Sequence, residues 1–245
     1  MFMITHLLAT DLDGTLVGDP TALKELIGYY EGLPYEVNLV YITGRYRSSA
    51  LSLIQSEGLP KPTVLVTDVG TSIYTGSEMD LDKEWEGMMK RNWEPEAIRE
   101  VASRFPSISL QQLPDDRRVS FEVKDDPEAV EDFKLALDEA GITHKFIYSS
   151  GRDIDILPKG SGKGQALHYV VEKYAGIETK ILVAGDSGND LDMLTLGYPS
   201  VIVANAQKEL AECKENPKIF HATKDCAGGI HEAWLHFYGE MAKQF

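Results

Sequence analysis

The segment Leu7-Leu8-Ala9-Thr10-Asp11-Leu12-Asp13-Gly14-Thr15 brings an apolar run to an abrupt stop. A buried strand over 7–10 would carry Asp11 and Asp13 to its carboxyl end, and Gly14 lets the backbone turn away tightly. Open α/β sheets place their ligands just beyond the carboxyl ends of parallel strands, so this segment argues for such a sheet and for chemistry at Asp11. The two carboxylates, two residues apart, project the same way if the strand continues. They cannot both stay ionised in a small space without a cation or a proton between them. An ordinary polar turn uses the same residue types, so the rest of the chain has to decide.

Three further segments end an apolar run in suitable groups. Residues 181–190, Ile-Leu-Val-Ala-Gly-Asp-Ser-Gly-Asn-Asp, put Asp186 at a strand tip and Asp190 in a first helical turn, where a carboxylate is favoured. Helix capping by Asp186 or Ser187 accounts for one acid, but not for two beside a glycine turn. Oxygen-only donors of this kind suit Mg2+. Thr43-Gly44-Arg45 follows another apolar run, where a hydroxyl and turn N–H groups can hold phosphate oxygens; taken alone, it is also a common turn. Lys163 lies in Lys-Gly-Ser-Gly-Lys-Gly, which is not a nucleotide P-loop, because Leu157 replaces that motif's first glycine and Gly164 follows the lysine. Lys163 reads either as a solvated linker residue or as the cation that neutralises Asp11 and a phosphate.

Strands expected near 5–11, 37–42 and 63–67 alternate with helices near 21–31 and 46–57, the order of a parallel sheet. After Gly70 the pattern changes to a hairpin-like stretch at 71–76 and helical spacing over 80–93 and 95–105. Strands and one more helix follow as far as 157. From 162 the first pattern returns. The expected fold is α/β: a Rossmann-like parallel-sheet core from 1–80 and 161–245, with an inserted α+β cap at 81–160.

The net charge of −15 repels polyanions, so nucleic acid is not an expected partner, and any phosphate site must be made locally cationic by Lys163, Arg45 and a divalent metal. No run approaches the ~18–20 apolar residues that span a bilayer. The opening residues lack a basic export signal, so no membrane association and a cytoplasmic location are expected. Cys213 and Cys226 lack zinc-like spacing and read as free thiols.

Asp-x-Asp-Gly-Thr at 11–15, Thr-Gly-Arg at 43–45, Lys163 and Gly-Asp-Ser-Gly-Asn-Asp at 185–190 together resemble, in order and separation, the haloacid dehalogenase (HAD) superfamily of Mg2+-dependent phosphohydrolases. The resemblance implies that Asp11 is the nucleophile that forms an aspartyl-phosphate and that Asp13 serves as acid and then base. It also implies that Thr43, Gly44, Lys163 and Asn189 hold the phosphoryl group, and that Asp11, Asp13, Asp186 and Asp190 form the metal site. A carboxylate attacks a dianionic phosphate only where a metal and a lysine cancel the charge.

An insert after the third strand is similar to superfamily members with a large α/β cap. Among them the chain most resembles the sucrose-phosphate phosphatases of bacteria and plants, above all over 146–167. Hydrolysis of sucrose 6-phosphate is the implied activity. The alternatives are mannosyl-3-phosphoglycerate, mannosylfructose phosphate or a hexose phosphate as substrate, then a phosphosugar mutase or a non-catalytic sugar-phosphate sensor. Arg45, Arg118, Ser149, Ser150, Arg152, Asp153 and Asp155 are the candidate sugar contacts, since a closed site must pair a sugar's hydroxyls. A solvated cap surface or plain strand alternation explains Arg118, Arg152, Asp153 and Asp155 equally. Arg118 stands where that group leads one to expect lysine, a planar fork in place of a point charge. The expected partner is a small sugar phosphate, with a sugar-phosphate synthase as the candidate protein partner of an otherwise monomeric chain.

Overall fold

The computed structural model describes residues 4–124, 126–211 and 216–239. The first stretch of chain contains β1 (Ile4–Thr10), α1 (Pro20–Glu31), β2 (Val37–Ile42), α2 (Arg47–Ser56), β3 (Val64–Thr67), β4 (Ser72–Thr75), β5 (Asp80–Leu81) and α3 (Lys83–Met89). Next come α4 (Pro95–Ala102), β6 (Ile108–Leu110), β7 (Val119–Val123), α5 (Pro127–Glu139), β8 (Lys145–Ser149) and β9 (Asp153–Leu157). The last stretch holds α6 (Lys163–Tyr174), β10 (Ala175–Gly185), α7 (Leu191–Leu194), β11 (Ser200–Ile202), α8 (Lys208–Ala211), β12 (Ile219–His221) and α9 (Cys226–Tyr238). Cys213 and the far ends of two expected helices, 212–215 and 240–245, lie outside the described residues.

One sheet runs β12-β11-β10-β1-β2-β3-β4-β5, parallel from β12 to β3, with β4 and β5 antiparallel at the edge. β1 is flanked by parallel partners on both sides, and both of its faces are covered. Leu7 and Ala9 pack with α3, α6 and α7, whereas Leu8 packs with α1 and α9. That explains a strand apolar at successive positions rather than alternate ones.

The second sheet, β6-β7-β9-β8, is antiparallel. Phe121, Ile154 and Ile156 pack against Ile98 and Val101 of α4 and Phe133 and Leu137 of α5. Alternation sends Ser120 and Asp155, which face each other across β7 and β9, to the opposite side. That polar side is turned toward the parallel sheet: Lys145 of β8 donates to Asp192 Oδ2 at 2.6 Å and to Ser161 O at 3.0 Å.

Three local differences from the sequence expectation have physical causes. The hairpin-like stretch at 71–76 is β4, which pairs with β3 and extends the core sheet. The helix expected over 80–93 is shorter, because β5 takes its first residues and Asp82 then caps α3 by accepting from the N–H groups of Glu84 and Trp85. Although α3 follows residue 81, Trp85 and Met89 pack into the core cluster with Ala166 and Val170, so along the chain the change from the core's apolar cluster to the cap's falls between α3 and α4. Among the described residues, no helix is long and apolar enough to cross a membrane.

Candidate active site

The four motif segments converge at the carboxyl ends of the central parallel strands. Asp11 follows β1, Thr43 follows β2, Asp186 follows β10, and Lys163 is the first residue of α6. Lys163 is only 1% exposed and donates to Asp11 Oδ1 and to Asp190 Oδ1, both at 2.6 Å. At the start of its helix two glycines touch. A Cβ on Gly70, which has φ +93°, would lie 2.3 Å from the carbonyl carbon and oxygen of Gly162.

Asp190 does two jobs. One oxygen receives the Lys163 ammonium; the other accepts from the N–H groups of Asp186 (3.0 Å) and Ser187 (3.1 Å), closing a capping box with Ser187. Of the two capping candidates in the sequence it is therefore Ser187 that caps this turn, with Asp190 closing the box. Asp186 Oδ1 accepts from the Thr15 hydroxyl at 3.1 Å. Gly14, at φ +77°, lies so close that a Cβ there would be 2.6 Å from Asp186 Oδ2.

Burial pushes the Asp11 carboxyl up; Lys163 pulls it back, and Asp190 and Asp186 push it up again. Asp186 is pushed up to about 6, by burial first and by Asp190 second. Burial also works against the Lys163 charge, but Asp11 and Asp190 outweigh it and hold the lysine above its ordinary value. One ammonium therefore faces three buried carboxylates, which each offer an oxygen within 4.8 Å of the others. A hard, oxygen-seeking cation fits this donor set and could replace the missing positive charge.

Asp13 and Arg45 are brought together outside that cluster. Arg45 holds the Asp13 carboxylate by two bonds of 2.7 Å and donates to the Ser49 hydroxyl at 2.8 Å. Asn189 accepts from the Ser187 hydroxyl at 3.2 Å. Thr43 is buried, and its Oγ1 accepts from the Arg45 N–H at 3.1 Å.

The cap candidates divide by position. Asp155 is buried, pairs with Arg118 and accepts from the Ser120 hydroxyl at 2.5 Å; Asp153 accepts from Gln111 Nε2 at 3.2 Å. Ser149 is buried at the end of β8. Ser150, at φ +57°, donates its N–H to Glu209 Oε1 at 3.2 Å, and the same oxygen accepts from the Gly188 N–H at 2.6 Å. Arg152 lies at the rim with its side chain 63% exposed, against Asp153 and Glu122. Cys226 is a free, buried thiol directed at the Gly14 carbonyl at 3.4 Å.

Sequence reasoning passed over Thr15, Asp68, Gln111 and Glu209. Thr15 was visible as the last residue of the first motif. The others carry no local signature, because each matters through a partner at least 21 residues away.

A family model described as sucrose-6F-phosphate phosphohydrolase matches residues 4–238. Sucrose-phosphatase 1 of Nicotiana tabacum is 36% identical over 94% of the chain, which spans 59% of that protein's length. Mannosylfructose-phosphate phosphatase of Agrobacterium fabrum is 32% identical over 95% of the chain and 96% of its own length. The crystal structure of a Synechocystis sucrose-phosphatase in complex with sucrose and phosphate superposes with a TM-score of 0.88 at 34% identity, covering 96% of this chain and 98% of that one. The same fold, cap included, recurs in a HAD subclass IIB sugar phosphatase at 16% identity.

Proposed function

Because the chain belongs to the sucrose-6F-phosphate phosphohydrolase family, we propose that it hydrolyses a phosphorylated disaccharide, sucrose 6-phosphate, to the free sugar and inorganic phosphate with Mg2+ as cofactor. The observation that carries this reading is the polar side of the cap sheet, with Ser120, Asp153 and Asp155, tied through Arg118 and Lys145 to the core that holds a buried lysine–carboxylate cluster. Such a face can pair hydroxyls that would otherwise lose their hydrogen bonds to water.

An Asp11 carboxylate oxygen attacks phosphorus, and the bond from phosphorus to the sugar oxygen breaks. Asp13, held at the edge of the site by Arg45, turns inward to protonate the departing oxygen. It then takes a proton from the water that cleaves the aspartyl-phosphate, which returns Asp11 as a carboxylate. Lys163 and the Thr43 hydroxyl hold the phosphoryl oxygens, while Asp190 keeps the lysine charged and aimed. Asp11, Asp186 and Asp190 would hold Mg2+, which lowers the repulsion between nucleophile and phosphate.

Phosphate release in Mg2+ from sucrose 6-phosphate, mannosylfructose phosphate, mannosyl-3-phosphoglycerate and hexose phosphates tests the substrate. A kcat/KM preference of about a hundredfold for sucrose 6-phosphate, roughly 2.7 kcal/mol of transition-state discrimination, is expected. Flat activity would keep the phosphatase and discard the sugar. Mannosylfructose phosphate is the second reading, favoured by a relative matched over nearly its whole length. Asp11→Asn should abolish turnover in a folded protein; retained turnover would remove the nucleophile.

A further inference from the structure

Three successive carbonyls of the phosphate loop are each taken by a donor. Thr43 O accepts from the Val69 N–H at 3.2 Å and Arg45 O from the Asp68 N–H at 2.9 Å. Both donors sit in the turn after β3, where Asp68 (φ +54°) and Val69 (φ +56°) hold a left-handed backbone that is strained for a β-branched residue. The middle carbonyl, Gly44 O, has a different kind of partner. It accepts at 2.8 Å from Nη2 of Arg118, a residue of the cap.

Arg118 is buried, its other terminal nitrogen is on Asp155, and its Nε faces Asp68 at 3.8 Å without a hydrogen-bond partner. The Gly44 carbonyl and the Arg45 N–H belong to one planar peptide unit and point in opposite directions. That N–H donates to Thr43 Oγ1 at 3.1 Å. With its lone pair so engaged, the Thr43 hydroxyl has its proton free to donate to a phosphate oxygen. A cationic donor on the carbonyl side fixes the plane and strengthens the N–H on the other side.

We infer that Arg118 is a positioning residue: from the cap it clamps the Gly44–Arg45 peptide and thereby aims the Thr43 hydroxyl at the transferring phosphate. The inference rests on the proposed role of Thr43 and makes the phosphate loop complete only when the cap is closed. It differs from a sugar contact in that the loss on removing Arg118 follows the phosphate, not the sugar. Lysine is a poor replacement, because one nitrogen at a different reach would have to serve both Asp155 and Gly44 O, which Arg118 holds through two separate nitrogens of a planar fork.

The test is kinetic, with Arg118→Lys and Arg118→Ala assayed on a sugar phosphate and on a small aryl phosphate, each in the Thr43 and the Thr43→Val background. Thermal midpoints identify variants that fail to fold, and the lysine variant preserves the charge against that risk. Arg118→Lys is expected to lower kcat about tenfold or more on both substrates, equivalent to about 1.4 kcal/mol. It should have little further effect once Thr43 is Val. A loss confined to the sugar phosphate, appearing mainly in KM, would make Arg118 a sugar contact and overturn the inference. So would a full loss in the Thr43→Val background, or no loss. If the unmodified protein cleaves the aryl phosphate but no sugar phosphate, the proposed substrate fails and the Arg118 experiment still decides. If it cleaves neither, both ideas fall.

Discussion

Gly70→Ala should damage activity from outside every motif that marks the site. The new Cβ would sit 2.3 Å from Gly162 C and O and 2.8 Å from Lys163 N, at φ +93°. Comfortable carbon contacts begin near 3.5 Å, so the backbone must give way by roughly 1 Å, and no side-chain rotation relieves it. The displaced backbone is the start of α6, which carries the lysine on Asp11. A left-handed alanine costs about 1–2 kcal/mol and an overpacked contact about 1–3 kcal/mol, so an unfolding free energy lower by about 2–5 kcal/mol is expected. A shift of this size at a catalytic group costs about a hundredfold in rate. The matched control is Gly58→Ala, also at positive φ (+63°) but with nothing within 4 Å of its Cβ. It should lose about 1–2 kcal/mol of stability and no activity. Urea unfolding and phosphate release on both variants decide the matter: if Gly70→Ala behaves like Gly58→Ala, the contact between the two glycines does not position Lys163.

Mg2+ should stabilise the folded chain, because it would complete the charge of a preformed carboxylate cluster. At a hundred times Kd the gain is about 2.7 kcal/mol, or roughly 5–10 °C in Tm for a chain of this size, and Asp186→Asn should abolish most of the shift. An equal shift in that variant would place the metal elsewhere. Asp68 supplies a pH test: burial first pushes it up to about 6, against the pull of Thr67 and Arg118. Between pH ~4 and ~6 the folded state therefore keeps a proton that the unfolded state has released, and stability falls as pH rises through that window. Asp68→Asn removes the effect, so its unfolding free energy relative to the unmodified chain should improve by up to about 3 kcal/mol between pH 4 and pH 7. A difference constant with pH would refute the assignment.

How much of this site could be read in the sequence follows from how each part is held. Asp11 and Asp186 were legible because a parallel strand, its terminal acid and the turn after it are contiguous, and the glycine that permits the turn is part of the same signal. Lys163 was legible only as an alternative between linker and cation. What decides is burial, and beside it Gly70 meets Gly162, a contact between two residues that nothing local connects. The cap strands were visible by alternation, yet alternation cannot say whether a polar face looks at water or at another sheet. For Asp153 and Asp155 the answer lies in Lys145 and Arg118, whose core partners are far away in sequence.

The same reasoning explains why Asp68 and Arg118 escaped notice as a pair. Asp68 acts through a buried carboxylate 3.8 Å from Arg118 Nε and through a backbone N–H, and a backbone N–H leaves no trace in composition or spacing. Groups that touch the reacting atoms must be particular residue types, so they advertise themselves. Groups that hold the loop need only a donor in the right place, and any residue with a suitable backbone supplies one. Arg118 stands between the two classes, since its task at Gly44 O is generic but it holds Asp155 at the same time through the other nitrogen of its fork. An arginine where the resemblance suggests lysine is therefore better explained by the geometry of two acceptors than by a change of sugar, and the Arg118→Lys kinetics separate those explanations.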